Sequence, residues 1–313
     1  MQERGLSEDH GTRMVKREKT AAPLLTQSSL RNPRSLNVVI SGASSGIGLA
    51  LARHYLARGA VVAVFARRGE LLEALSAEFP DQVFIYALDV RDAAAVQHAA
   101  ADFMARAGCP DVVIANAGVS VGTLTEFAED IAAFQQVMDI NVLGMVKTFQ
   151  PFVAAMRANS SPETGQAGKP RSGCPHKGRS GGVLVGIASV AGFRGLPGAA
   201  AYSASKAAAI SYLESLRVEL RGTGVRVVTI CPGYIRTPMT EHNPYPMPFM
   251  LDADVAAARM ARAIARQTPF TVIPWQMGLV GCVLKWLPRC VYDYLFAKAP
   301  RKPRNNGDVS SKT

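Results

Sequence analysis

The chain has 313 residues, 48% of them apolar, and a net charge of +11. That is enough apolar material for one large α/β domain with additions, and no uninterrupted apolar run is long enough to span a bilayer. The charge excess sits in residues 1–34 (+3), 157–182 (+4) and 285–313 (+5), leaving −1 for the rest, so solvated tails are expected rather than a nucleic-acid-binding face.

Residues 1–34 are polar, mixed in charge and without the apolar stretch of a secretory signal, and read as a flexible tail. The strand and helix signals then alternate. "LNVVISG" (36–42) is a β-rich run closing on glycine, and "IGLALARHYLARG" (47–59) has helical spacing. "AVVAVFA" (60–66) is a strand, "GELLEALSAEFP" (69–80) a helix, "VFIYALDV" (83–90) a strand and "AAAVQHAAADFMARAG" (93–108) a helix. After the strand "PDVVIANAG" (110–118), residues 126–158 read as one long helical region. Residues 159–182, rich in Gly, Pro, Ser and charge, read as a disordered insertion. The strand "GGVLVGIAS" (181–189), a helix over 200–221, the strand "GVRVVTICPG" (224–233), a helix near 252–267 and the short strand "FTVIP" (270–274) complete the body.

The strands are continuous apolar runs, the pattern of a parallel sheet covered on both faces. A single doubly wound sheet, a Rossmann fold, is predicted over residues 35–275. Residues 276–313 form an extension of apolar short helices with a basic tail; the alternative to packing on the body is a weak, peripheral membrane-surface anchor. The five cysteines (Cys109, Cys174, Cys231, Cys282 and Cys290) are scattered and lack a CxxC spacing, so a reducing cytoplasm is expected. Cys174 and His176 in a Gly/Pro-rich loop make no zinc set, and no metal is expected.

The first strand runs into "SGASSGIG", where Gly42, Gly46 and Gly48 are spaced G-x3-G-x-G. Strand, glycine turn and helix follow in the order a pyrophosphate site needs, with helix N–H groups and the hydroxyls of Ser44 and Ser45 as donors. At the end of the second strand, residues 65–68 carry no acid to accept from a ribose 2′-hydroxyl. Arg67 and Arg68 stand there instead, suited to a 2′-phosphate, so NADP(H) is favoured over NAD(H). In "AAYSASKAA", Tyr202 and Lys206 are four residues apart and share a helix face.

Taken together, "SGASSGIG", "LDV" at 88–90, "NAG" at 116–118, Asn141 in "MDINVLG", Ser189 in "IASVAG", "YSASK" at 202–206 and "PGYIRT" at 232–237 resemble the short-chain dehydrogenase/reductase family across residues 35–275. Ser41 stands where that family usually has Thr, keeping a hydroxyl. The resemblance implies hydride transfer between nicotinamide and a carbonyl or secondary alcohol. It implies Tyr202 as general acid/base, its pKa lowered by the Lys206 ammonium, and Lys206 also on the nicotinamide ribose. It implies Ser189 holding the substrate oxygen beside Tyr202, and Asn141 organising a water that leads from Lys206 to solvent. Asp89 would contact adenine, with Val90 and Ile47 beside the cofactor; Asn116, Ala117 and Gly118 would line its adenosine side, and Pro232, Gly233 and Thr237 the nicotinamide. The helices at 126–156 and 200–221 resemble those that pair subunits, so a homo-oligomer is expected. The segment after "PG", with Tyr245, Met247, Phe249 and Met250, suits an apolar substrate: a lipid, steroid-like or aryl ketone. A 3-oxoacyl reductase is the alternative substrate class, and an NADP-binding sensor without turnover the alternative function. An epimerase lacks support for want of a larger C-terminal domain, and a methyltransferase would not need the Tyr-x3-Lys pair.

Overall fold

The computed structural model describes residues 35–160, 181–241, 243, 246–299 and 301–304. The N-terminal tail, residues 161–180 of the insertion with Cys174 and His176, and Tyr245 lie outside the described residues. The body alternates strand and helix: β1 (Asn37–Ser41), α1 (Gly46–Leu56), β2 (Val61–Ala66), α2 (Gly69–Glu78), β3 (Val83–Ala87), α3 (Ala93–Ala107) and β4 (Val112–Ala115). There follow α4 (Asp130–Met138), α5 (Gly144–Asn159), β5 (Val183–Ile187), α6 (Ala200–Glu219) and β6 (Arg226–Pro232). A short β7 (Ile235–Arg236), α7 (Pro238–Glu241) and β8 (Leu251–Asp252) precede α8 (Ala253–Ala265), β9 (Phe270–Ile273), α9 (Trp275–Trp286) and α10 (Arg289–Phe296).

Seven strands form one parallel sheet in the order β3-β2-β1-β4-β5-β6-β9. Every residue of β2, β4 and β5 is buried, which is why these strands read as unbroken apolar runs. One face is packed by α1, α2 and α8 through Leu51, Leu72 and Met260. The other is packed by α3, α5 and α6 through Phe103, Phe152 and Leu213. Each such fully buried side chain contributes roughly 1.5–3 kcal/mol by leaving water. The chain's direction across the sheet reverses between β1 and β4, and the crevice at their carboxyl ends is where such folds bind ligands.

The expected single helix over 126–158 differs in two ways. It begins at Asp130, after turns held by Phe127 N–H to Leu124 C=O and Asp130 N–H to Phe127 C=O. A π-helical turn, Asp139–Leu143, then separates α4 from α5. Such turns insert a residue into a helix and occur often at functional sites; this one carries Asn141.

Candidate active site

The turn between β1 and α1 is shaped by close backbone approach. Gly42 has φ +70, and a Cβ there would meet the backbone of Ala117 at 2.7 Å. A Cβ on Gly48 would lie 2.2 Å from the carbonyl oxygen of Gly42 and 2.5 Å from Asn116 Nδ2, so the helix can start this close to the strand only without a side chain. Asn116 Nδ2 donates to the carbonyls of Ser41 (3.1 Å) and Gly42 (3.0 Å). The Ser41 hydroxyl accepts from the backbone N–H groups of Asn116 (3.2 Å) and Ala117 (3.3 Å), so serine does here what a hydroxyl is needed for. The N-cap of α1, Ser45, makes no side-chain cap bond, and no acid stands in the first turn. Those helix N–H groups are thus left for an anion.

At the end of β2, Arg68 Nη2 reaches the hydroxyls of Ser44 (3.2 Å) and Ser45 (3.4 Å), and Arg67 is exposed beside it. Asp89 is held by Arg91, whose N–H, Nε and Nη2 donate at 2.8, 3.0 and 2.7 Å. Burial acts to raise the Asp89 pKa, but the hydrogen bonds and charge of Arg91, with Arg67 beyond, bring it below the ordinary value. Arg91 was not foreseen; its partner is two residues away, and only the fold shows it facing the same end of the cleft.

The other end is built on α6 and the carboxyl ends of β5 and β6. Buried Ala201, Ser203 and Ser205 let α6 approach the sheet. Lys206 is 4% exposed; its Nζ donates to the Ile187 carbonyl at 2.9 Å and lies 5.8 Å from the centre of the Tyr202 ring. Burial lowers the Lys206 pKa to about 8. The Tyr202 phenol is shifted in the direction opposite to the one expected: burial raises it above 10.0, against the opposing hydrogen bond from Ser189. Ser189 caps a 3₁₀ turn, Val190–Gly192, accepting from Ala191 N–H at 3.1 Å, with its hydroxyl 3.5 Å from the Pro232 carbonyl. Cys231, also unforeseen, is buried next to Lys206, and burial pushes its thiol up to about 12, so it stays neutral.

Asn141 is fully buried. Its Oδ1 accepts from Val119 N–H at 2.8 Å, and its Nδ2 donates to the Val119 carbonyl (3.0 Å) and to Ser205 Oγ (2.9 Å). Both amide protons are therefore used to tie the loop after β4 to α6.

One cleft of about 630 Å³ joins the two ends. Its walls include Gly42, Ser44, Ser45, Gly46, Ile47, Arg67, Arg68, Asp89, Val90, Asn116, Ala117 and Gly118. They continue through Ser189, Tyr202, Lys206, Pro232, Gly233 and Thr237. Gly48 and Asn141 lie behind the wall and support it. Of the segment after "PG", Pro238, Met239 and Thr240 line the cleft, whereas Met247, Phe249 and Met250 do not. Phe249 is 50% exposed: pairing of β7 with β8 turns that stretch along the surface.

The short chain dehydrogenase family model matches residues 36–169 and 170–246. The chain belongs to the short-chain dehydrogenase family. It is 37% identical over 258 residues to an uncharacterized oxidoreductase of Myxococcus xanthus, covering 82% of this chain and 94% of that one. It is 34% identical over 206 residues to a 2-dehydro-3-deoxy-L-rhamnonate dehydrogenase (NAD(+)) of a Sphingomonas species, covering 66% and 74%. Among solved structures, a short-chain dehydrogenase from Streptomyces avermitilis superposes with a TM-score of 0.65 at 27% identity, covering 84% of this chain and 94% of that one.

The far edge of this short-chain dehydrogenase is closed by its C-terminal extension. Arg194, just past the 3₁₀ turn, donates to the carbonyls of Leu284 (3.3 Å), Lys285 (3.3 Å) and Leu287 (3.2 Å), ending α9. Its guanidinium lies 4.4 Å over the Tyr292 ring, and the Tyr292 hydroxyl donates to the Gly195 carbonyl. The extension is thus packed on the segment that follows Ser189. Trp275, Leu279, Val283, Trp286 and Tyr294 remain exposed on its outside. Among the described residues no helix is long and apolar enough to cross a membrane.

Proposed function

We propose that this short-chain dehydrogenase is an NADP(H)-dependent carbonyl reductase, with Ser189, Tyr202 and Lys206 as its catalytic residues and Asn141 as their support. The observation that carries the reading is the single cleft with Tyr202 and Lys206 at one end and the glycine turn with its arginines at the other. The cradle fits a dinucleotide: α1 leaves its first N–H groups uncapped, and Gly42 and Gly48 leave room for a pyrophosphate to approach backbone. Arg67 and Arg68 would hold a 2′-phosphate, the acid at that end, Asp89, being paired with Arg91. When bound, the reduced nicotinamide would supply the hydride.

The chain's own residues manage the proton. Ser189 donates a hydrogen bond to the substrate oxygen and holds it at Tyr202. The raised pKa of Tyr202 keeps the phenol protonated at neutral pH, ready to donate to the oxygen as negative charge builds on it. Lys206, ammonium below about pH 8, stabilises the phenolate left behind. Asn141, whose amide protons are used on Val119 and Ser205, holds the loop after β4 against α6, and its Oδ1 faces the same glycine, Gly118, as the Lys206 ammonium. Residues 35–275 are the catalytic domain and 276–313 an extension of it. Exposed Ile131, Phe134, Leu143 and Val218 on α4, the π turn and α6 support pairing of subunits there. The enzyme works in the cytoplasm.

The test is a panel of lipid, steroid-like and aryl ketones, followed by NADPH absorbance and repeated with NADH. NADPH consumption with at least one ketone, and a kcat/KM at least about tenfold lower with NADH, is expected. Arg67→Asp should remove most of that preference; an unchanged preference overturns the arginine assignment, and no consumption with any ketone of the panel overturns the lipid, steroid-like or aryl substrate class.

A further inference from the structure

Residues 301–304 run past Ser120 and Gly122, beside the substrate end of the cleft, and they are fastened there at several points. A Cβ on Gly122 would lie 2.5 Å from the Lys302 carbonyl oxygen and 2.4 Å from that of Pro303, so the strap passes directly over a glycine. Arg304 donates to Asp130 at 2.8 and 3.1 Å and to Glu129 at 3.0 Å, with its guanidinium 3.5 Å over the Phe127 ring. Asp130 and Arg304 are largely shielded, at 12% and 15% side-chain exposure, so this clamp is much less screened than a surface ion pair.

Between these fastenings stands Lys302. Its Nζ donates to Ser120 Oγ at 2.7 Å and lies 6.0 Å from the centre of the Tyr202 ring. Ser120 lines the cleft. Lys302 is half-buried, and among the described residues no carboxylate pairs with it; burial lowers its pKa with no counter-charge to offset the shift. A partly desolvated ammonium with spare donors is costly unless an anion completes it. The strap's clamp holds it beside Ser120, where an anion in the cleft would meet it. The catalytic ring is close enough that the anion and the reacting carbonyl belong to one small molecule.

We propose that Lys302, with Ser120, binds a carboxylate on the substrate, making this enzyme a reductase of keto acids whose carbon chain lies against the apolar cleft wall. The assignment rests on the carbonyl-reductase reading above. A carboxylate fits better than a phosphate because a single ammonium and a hydroxyl offer few donors, whereas the phosphate-type donors (arginines and a helix N-terminus) are gathered at the opposite end.

The experiment compares 3-oxobutanoate, 4-oxopentanoate and 5-oxohexanoate with their methyl esters. It measures kcat/KM with NADPH, and calorimetric Kd in the presence of NADP+. For at least one pair the acid should exceed its ester by about tenfold or more in both readouts. Lys302→Met should collapse that ratio, Lys302→Arg should retain most of it, and Arg304→Ala, which unfastens the strap, should reduce it. An acid-to-ester ratio near one in the native enzyme, or a ratio that survives Lys302→Met, overturns the proposal. If no ketone is reduced, the reductase reading fails, and the calorimetric ratio and its dependence on Lys302 still decide whether the strap binds a carboxylate.

Discussion

The two ends of the cleft are built differently. The phosphate end is shaped by backbone, a glycine turn and the open start of α1, with the Asn116 side-chain amide bonded to the carbonyls of the turn. Its arginines, Arg67 and Arg68, come from the short turn between β2 and α2. The substrate end is assembled from side chains far apart in the sequence: Ser120, Ser189, Tyr202, Met239 and the strap at 301–304. A site formed by close backbone admits few side chains, whereas a site formed by side chains is free to differ. The chemistry at the first end should therefore break by crowding, and at the second by loss of a proton or a charge.

The sharpest break at the phosphate end is Gly48→Ala. Its Cβ would meet the Gly42 carbonyl oxygen at 2.2 Å, a backbone atom that cannot swing aside. NADPH binding, followed by its fluorescence, should weaken by about a hundredfold, with a stability loss of roughly 1–3 kcal/mol. Gly59→Ala is the control: φ is +78 but nothing lies within 4 Å, so about 1 kcal/mol should be lost with NADPH affinity unchanged. Equal effects on binding would show that the turn's crowding is not what shapes the site.

The substrate end should break with pH. Lys206 has its pKa lowered to about 8 by burial, so its ammonium is present below that pH and lost above it. The kcat/KM for ketone reduction should be level near neutrality and fall as pH rises through about 8. In Lys206→Arg the guanidinium stays charged, and the fall should move toward the ionisation of Tyr202, above 10.0. A limb near 8 that persists in Lys206→Arg would remove Lys206 from the titration.

The difference between the ends also explains what could be read from the sequence. The sheet, its strand runs and the glycine turn are local or periodic features, and they appear in the structure where their spacing placed them. Gly48 was legible as a glycine that must be small, though not its partner, because the Gly42 carbonyl meets it only once the turn folds. Asn141 was legible by position, but its amide bonds to Val119 and Ser205 depend on the π turn, which no periodicity announces. Lys302 read as part of a basic tail, since a neighbour 182 positions away leaves no local pattern. The expected lowering of the Tyr202 pKa rested on the four-residue spacing to Lys206, whereas the burial that raises it exists only in the folded chain.

The measurement that bears most directly on the reading is Tyr202→Phe, assayed for both turnover and binding. Removing one hydroxyl leaves the ring, the helix and the phosphate end in place. With any accepted ketone, kcat should fall by about a thousandfold, within the range expected for loss of a general acid, while the NADPH dissociation constant stays within about twofold. Turnover retained at the native rate would contradict a proton-transfer role for Tyr202, and with it the account of the cleft as a reductase site.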